Sequence, residues 1–212
     1  VTGAGSLPAG VTGDLVLDVT ANPSGTHTTI PLTVKGATIS ATADDAVYGD
    51  DTTVHVTASA PGDAPTGAVT VLSGTTEVGS GTLADGQADI TVDTEQIGAG
   101  TQELTVKYAG AGDLPAAQGT TSVTVAKAAT SSTVTVDPNA RRGQPVDVTV
   151  DVASATGTTP TGTVTLKHGD TTLGSGTLSD GSVTVAADAS SRPIGSTTIS
   201  VVYAGDDDHL TS

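Results

Sequence analysis

Four histidines, 23 acidic side chains and three tyrosines are the groups in this 212-residue chain that could do chemistry; cysteine, methionine, tryptophan and phenylalanine are all absent. Acyl transfer would need His27, His55, His168 or His209 to stand beside a nucleophile and an acid. His55 lies between Val54 and Val56 and points outward from an alternating stretch, while His168 precedes a turn glycine, Gly169. No motif sets a serine or an acid next to either, so all four are expected to be ordinary surface histidines. Without cysteine there is no thiol nucleophile, zinc–thiolate site or disulfide. The glycines fall at turns, not in a phosphate-binding loop that follows a buried strand.

Sugar recognition by a β-sandwich usually needs an aromatic platform. Only Tyr48, Tyr108 and Tyr203 are available, and the last two occupy equivalent strand ends. Those two are expected to pack inward with the hydroxyl toward a loop, leaving Tyr48 in a connection. An intramolecular isopeptide bond needs a lysine beside asparagine or aspartate. The two asparagines, Asn22 and Asn139, do not recur in register and also fail as N-glycosylation acceptors.

Period-2 alternation dominates the chain, and helical periodicity is nowhere sustained. Strands are expected at 37–43, 52–60, 68–72, 76–83, 87–92, 101–108 and 120–126, with Val54, Val56, Val69, Val71, Ile90, Leu104, Val106 and Val123 facing inward. Asp85-Gly86 and Asp180-Gly181 are suited to two-residue hairpins, where glycine takes a positive φ. Threonine, at 41 residues, suits the exposed faces of such strands. Seven short strands in about 90 residues, with turn signals between, predict an all-β chain of tandem seven-stranded immunoglobulin-like β-sandwiches.

Residues 65–86 recur as residues 160–181 at a constant offset of 95, and 14 of these 22 positions are identical. The register continues to Tyr108-Ala-Gly and Tyr203-Ala-Gly, so a whole domain is duplicated. In the second copy strands are expected at 133–136, 145–152, 163–166, 171–178, 182–187 and 196–203, with the last strand of the sandwich missing. Residues 1–36 alternate like a closing hairpin, at 13–21 and 28–35. The expected division is therefore a partial sandwich at 1–36, a first repeat at 37–127 and a second at 128–212. Either the chain is a window on a longer protein, or the open groove of the last repeat takes a strand from another subunit.

The net charge of −16 disfavours nucleic acid and anionic lipid, and no stretch is apolar enough to insert in a membrane. Solvation is the plain reading of that charge. The sharper reading follows from the strand order, because alternate loops of a sandwich share a pole. Asp44, Asp45, Asp50 and Asp51, with Asp93 and Glu95, fall at one pole of the first repeat. Asp206, Asp207 and Asp208, with Asp180, fall at the opposite pole of the second. The short Lys127-Ala-Ala-Thr130 linker should bring these poles together, and calcium takes six to eight oxygens. An interdomain calcium site at Asp44, Asp45, Asp50, Asp51, Asp206, Asp207 and Asp208 is the expectation, without EF-hand spacing and with no other cofactor.

Pro-Thr-Gly-x-Val-Thr, then Gly-Ser-Gly-Thr-Leu-x-Asp-Gly, then Tyr-Ala-Gly stand in this order in both copies. In that order and spacing they closely resemble the bacterial Ig-like repeats found in tandem on large secreted and cell-surface proteins. The resemblance covers residues 37–212 and implies a non-catalytic, extracellular structural spacer. It also admits an adhesion or assembly module that binds a protein partner or a neighbouring subunit through strand edges or loops, and an accessory region of a secreted hydrolase.

Overall fold

Valine and threonine alternating at period 2 place one apolar and one polar face on each strand, and the apolar faces must meet. The computed structural model describes residues 14–21, 26–33, 36–62, 64–138, 141, 143–188 and 198–212, the first two stretches as backbone only. Asn22, Asn139 and Ser196 lie outside the described residues, as does the side chain of His27. The described residues include the strands β1 (Asp14–Ala21), β2 (Thr26–Thr33), β3 (Thr38–Ala43), β4 (Ala46–Val47), β5 (Asp51–Ser59), β6 (Gly67–Ser73), β7 (Thr76–Leu83), β8 (Gln87–Asp93), β9 (Gly100–Tyr108), β10 (Ala117–Ala126), β11 (Thr130–Val136), β12 (Val146–Ser154), β13 (Thr163–His168), β14 (Thr171–Thr177), β15 (Ser182–Ala187) and β16 (Ser200–Tyr203). A 3-10 turn, Thr94–Gln96, follows β8.

The strands of the first repeat form a three-stranded sheet, β3-β5-β8, and a five-stranded sheet, β4-β10-β9-β6-β7. Those of the second form β11-β12-β15 and β14-β13-β16, and β1 pairs antiparallel with β2. The inward positions read from the sequence are the buried ones, from Val54 and Val56 through Leu104, Val106 and Tyr108 to Val123 and Val125. Each such valine or leucine contributes roughly 1.5–3 kcal/mol on leaving water. With no large side chain but tyrosine, this repeated small-residue packing makes up the core of the second repeat too, around Val150, Leu166, Leu173 and Tyr203.

Asp85 and Gly86 both take positive φ, 51° and 77°, and Asp180 and Gly181 repeat this at 52° and 76°. These are hairpin turns that match the strand twist. β4 was not foreseen: the first strand of the sandwich leaves its sheet at Asp44 and re-enters the opposite one, where Ala46 and Val47 pair in parallel with Val125 and Ala126 of β10. Two apolar residues carry too little periodicity to signal this switch.

By contacts the chain forms two compact units. One holds the described residues up to Ala43 with Thr53–Thr91 and Glu103–Ser122; the other holds Asp44–Thr52, Val92–Gln102 and Val123–Ser212. Two connecting segments of the first repeat thus belong to the same compact unit as the whole second repeat.

Candidate functional site

The turn after β16 is the most chemically organised part of the second unit. In the first repeat the same turn begins and ends on apolar residues, and Ala111 and Leu114 exchange backbone hydrogen bonds of 3.2 and 3.0 Å. At the 95-residue offset the second repeat has Asp206 and His209 instead. Asp206 Oδ1 accepts from the backbone N–H of Asp208 (2.9 Å) and of His209 (2.7 Å) and from His209 Nδ1 (2.8 Å). Its Oδ2 accepts from the Thr161 N–H and hydroxyl, both at 2.8 Å. Burial opposes the charge, but the donors from Thr161, Asp208 and His209 prevail and hold the carboxyl well below the usual carboxylate range. Burial, and then the Asp206 charge, push the buried Tyr203 phenol up to about 12. Tyr203 Oη makes no hydrogen bond of ordinary geometry, whereas Tyr108 Oη donates to the Thr66 carbonyl at 2.8 Å.

His209 is 3% exposed, which corrects its assignment to the surface. Its Nε2 lies 2.8 Å from Thr158 Oγ1, and the ring of Tyr48 stands edge-on to the imidazole with centroids 5.5 Å apart. Thr158, His209 and Asp206 therefore follow the order hydroxyl, imidazole, carboxylate. The chemistry of a triad also needs a nucleophile open to substrate and donors aimed at an oxyanion. Here Thr158 Oγ1 is also hydrogen-bonded to Ser154 Oγ at 3.0 Å, and the imidazole is closed in under Tyr48. The arrangement ties three loops together. The only sequence signal for it was the Asp-x-x-His spacing, because Thr158 and Tyr48 are remote along the chain.

Two further contacts bind the connecting segments into this unit. The Ala99 N–H donates to Asp208 Oδ1 at 2.8 Å. Gly49 has φ of +91°, and a Cβ there would stand 2.6–2.8 Å from the side chains of Thr156 and Thr158. Behind it, fully buried Thr94 takes the Gly49 N–H on its hydroxyl at 2.9 Å and donates to the Asp50 carbonyl at 2.8 Å. Asp93 caps the 3-10 turn by accepting from the Glu95 N–H at 2.9 Å.

The aspartates weighed as cation ligands are distributed among separate tasks. Asp45 Oδ1 accepts from the Thr124 N–H at 3.1 Å, and the Asp44 carbonyl accepts from the Thr52 hydroxyl. Asp50, Asp51 and Asp207 are exposed. Asp206 and Asp208 carry the contacts described above. Among the described residues, no group of three or more His, Asp or Glu side chains is placed to hold a metal ion. Gly49, Thr94 and Thr158 drew no expectation from the sequence, and Tyr48 and His209 were given no part in a shared network.

Elsewhere, His55 Nδ1 pairs with Asp89 Oδ1 at 2.7 Å across neighbouring strands, so an acid does stand beside it, on an exposed face. His168 Nδ1 lies 2.9 Å from the Thr198 carbonyl. In the first unit a cleft of about 230 Å³ is lined by Pro61, Ala64, Thr66 and the turn Ala111, Gly112, Asp113 and Leu114. Asp113 is the one charged residue among those lining it. Among the described residues no helix is long and apolar enough to cross a membrane.

A family model described as bacterial Ig-like domain (group 3) matches residues 37–126 and again 128–212. No curated protein matches the sequence. Among solved structures the chain is similar to the adhesin InvE of Yersinia pseudotuberculosis, at 18% identity over 82% of this chain and 57% of that one, with a TM-score of 0.46. It is also similar to a 1.5-MDa bacterial ice-binding adhesin, at 12% identity over 73% and 55% of the two chains, with a TM-score of 0.32. For the fibronectin(III)-like modules of Clostridium thermocellum CbhA the values are 19%, 83%, 90% and 0.28. The chain spans little more than half the length of each of the first two.

Proposed function

Because the chain belongs to the bacterial Ig-like domain (group 3) family, we propose that it is a non-catalytic spacer segment of an extracellular bacterial protein, built to hold other parts of that protein at a set distance. One observation carries this reading: the segments Asp44–Thr52 and Val92–Gln102 of the first repeat are part of the compact unit that contains the second. A repeat boundary made this way, through Tyr48, Gly49 and Ala99 against His209, Thr156 and Asp208, resists the free swivelling that a bare flexible linker allows. The strong negative charge keeps such a segment soluble and disfavours collapse on anionic surfaces.

The test places the chain, in one copy and in two, between a surface anchor and a small epitope on an inert bacterium. Antibody access to the epitope is expected to rise with copy number and to be the same in calcium and in chelator. Saturable binding of the purified chain to cells or matrix would instead make it an adhesion module. Access that rises only with calcium would give the aspartates the role of cation ligands.

A further inference from the structure

We propose that Thr158, His209 and Asp206 form a self-cleaving site, at which the Thr158 hydroxyl attacks the Gly157 carbonyl and breaks the Gly157–Thr158 peptide bond of its own chain. A closed site shuts out other substrates, but an acceptor within the same chain needs no opening. The Asp206 carboxyl, held below the usual range by its donors, stays anionic and so calls for a proton on His209 Nδ1, 2.8 Å away. In the neutral ring Nε2 then carries the lone pair, and its 2.8 Å contact with Thr158 is the hydroxyl donating to it. Ser154 Oγ lies 3.0 Å from the same hydroxyl but is a weaker acceptor than an imidazole nitrogen. Thr158 is thus a hydroxyl with a base upon it and a carboxylate behind the base.

The acyl carbon nearest to that hydroxyl along the chain is the carbonyl carbon of Gly157. Attack by Oγ1 closes an oxazolidine ring through Cβ, Cα and N of Thr158, and His209 Nε2 takes the hydroxyl proton. Nε2 then gives that proton to the Thr158 nitrogen as the C–N bond breaks. Gly157 is left as an ester on Oγ1, and Thr158 has a free amine. Water adds to the ester, which yields a carboxylic acid at Gly157 and restores the Thr158 hydroxyl; nothing is oxidised or reduced. Gly157 suits this role because it is exposed, has no side chain to shield its carbonyl, and has open space where a Cβ would stand. Solvent therefore reaches the carbonyl oxygen as charge develops there and supplies the hydrolytic water. With water in place of fixed donors at that oxygen, the reaction is slow.

The cut falls between β12 and β13, which belong to different sheets. β12 stays paired with β15 from Val146 opposite Ala187 to Asp151 opposite Ser182, so the two pieces remain assembled. A covalent joint in the second repeat is thereby replaced by a ladder of hydrogen bonds and a shared core. In the first repeat Leu114 stands at the offset position of His209, so that turn lacks the base and no cut is expected there. The reaction is a single turnover within one chain and stands apart from the spacer reading, which neither requires it nor falls with it.

The test incubates the 212-residue chain at neutral pH with and without hydroxylamine, then denatures it for mass spectrometry. A piece that ends at Gly157 and one that begins at Thr158 are expected to accumulate over days. Hydroxylamine, which takes the acyl group as a hydroxamate, should speed this, and urea, which separates the groups, should prevent it. Thr158→Val, similar in shape but without the hydroxyl, should leave the bond intact, and Thr158→Ser should still be cut. Asp206 is a positioning residue: Asp206→Asn sets an amide donor against Nδ1 and moves the ring proton to Nε2. Cleavage is then expected to slow at least about tenfold, with the NMR signals of the two His209 ring nitrogens exchanged. No cut at Gly157, a cut that persists in urea, a rate indifferent to hydroxylamine, or an equal cut in Thr158→Val overturns the proposal.

Discussion

Asp206 accepts from five donor groups through two oxygens, and this makes one side chain responsible for the geometry of a whole turn. Its carboxyl is held low, so the linkage has a definite sign. The stabilisation is complete above the ordinary carboxylate range near 3.9 and is withdrawn as pH falls toward the depressed folded value. Asp206→Asn is expected to cost about 1–3 kcal/mol in urea unfolding at neutral pH, because it leaves donors facing an amide. It should also flatten the acid limb of the stability profile. An unchanged acid limb would assign that pH dependence to other carboxylates. The double change Asp206→Ala/His209→Leu restores the two end residues of the Ala111–Leu114 turn of the first repeat, and is expected to recover part of what Asp206→Ala alone loses. Little of this was legible in the sequence. An Asp-x-x-His spacing is common, and the partners that make it matter, Thr158, Thr161 and Tyr48, meet it only after the strands have paired.

At the scale of elements the sequence was far more informative. Inward positions on β5, β6, β8 and β9 follow from alternation alone, since a one-residue slip would turn the whole valine face to solvent. The Asp-Gly turns follow from the positive φ that the hairpin demands. What escaped were features held by tertiary contact: the two-residue strand β4, the Thr94 hydroxyl inside its loop, and Gly49. Gly49→Ala tests that last class. It combines an unfavourable φ of +91° with a methyl placed against Thr156 and Thr158. A loss of about 1–3 kcal/mol is expected, with faster hydrogen exchange at the Ala99 amide as the contact with Asp208 opens. A variant as stable as the parent, with Ala99 equally protected, would show that the segment does not depend on that close approach.

For the molecule as a whole, the duplication was visible at once, and comparison of the copies shows where they have diverged. The turn that in the first repeat lines a cleft is, in the second, a closed network of carboxylate, imidazole and hydroxyl. Residues 65–86 and 160–181 agree at 14 of 22 positions, and this turn is one place where the copies differ. A sequence reader sees the shared residues most easily because they repeat. The distinguishing ones occur once each: the strand order groups the acidic residues by pole, whereas the side chains of Asp45, Asp206 and Asp208 each accept hydrogen bonds from different partners.

The parallel pairing of β4 with β10 has a consequence for a chain under tension. β4 lies near the start of the first repeat and β10 at its end, so pulling on the two ends drives these strands past one another lengthwise. Bonds along such a pair are loaded together, whereas a hairpin pulled from its open end gives way one bond at a time. The pair is short, comprising Val125 with Ala46, Ala126 with Val47 and the Tyr48 N–H to the Ala126 carbonyl at 2.8 Å, but it is placed where the load arrives first. In single-molecule pulling, Ala46→Pro is expected to lower the rupture force of the first repeat by more than its loss of equilibrium stability accounts for. A proportionate fall would mean that resistance to load is shared by the whole sandwich, and a larger one would identify three residue pairs as its catch.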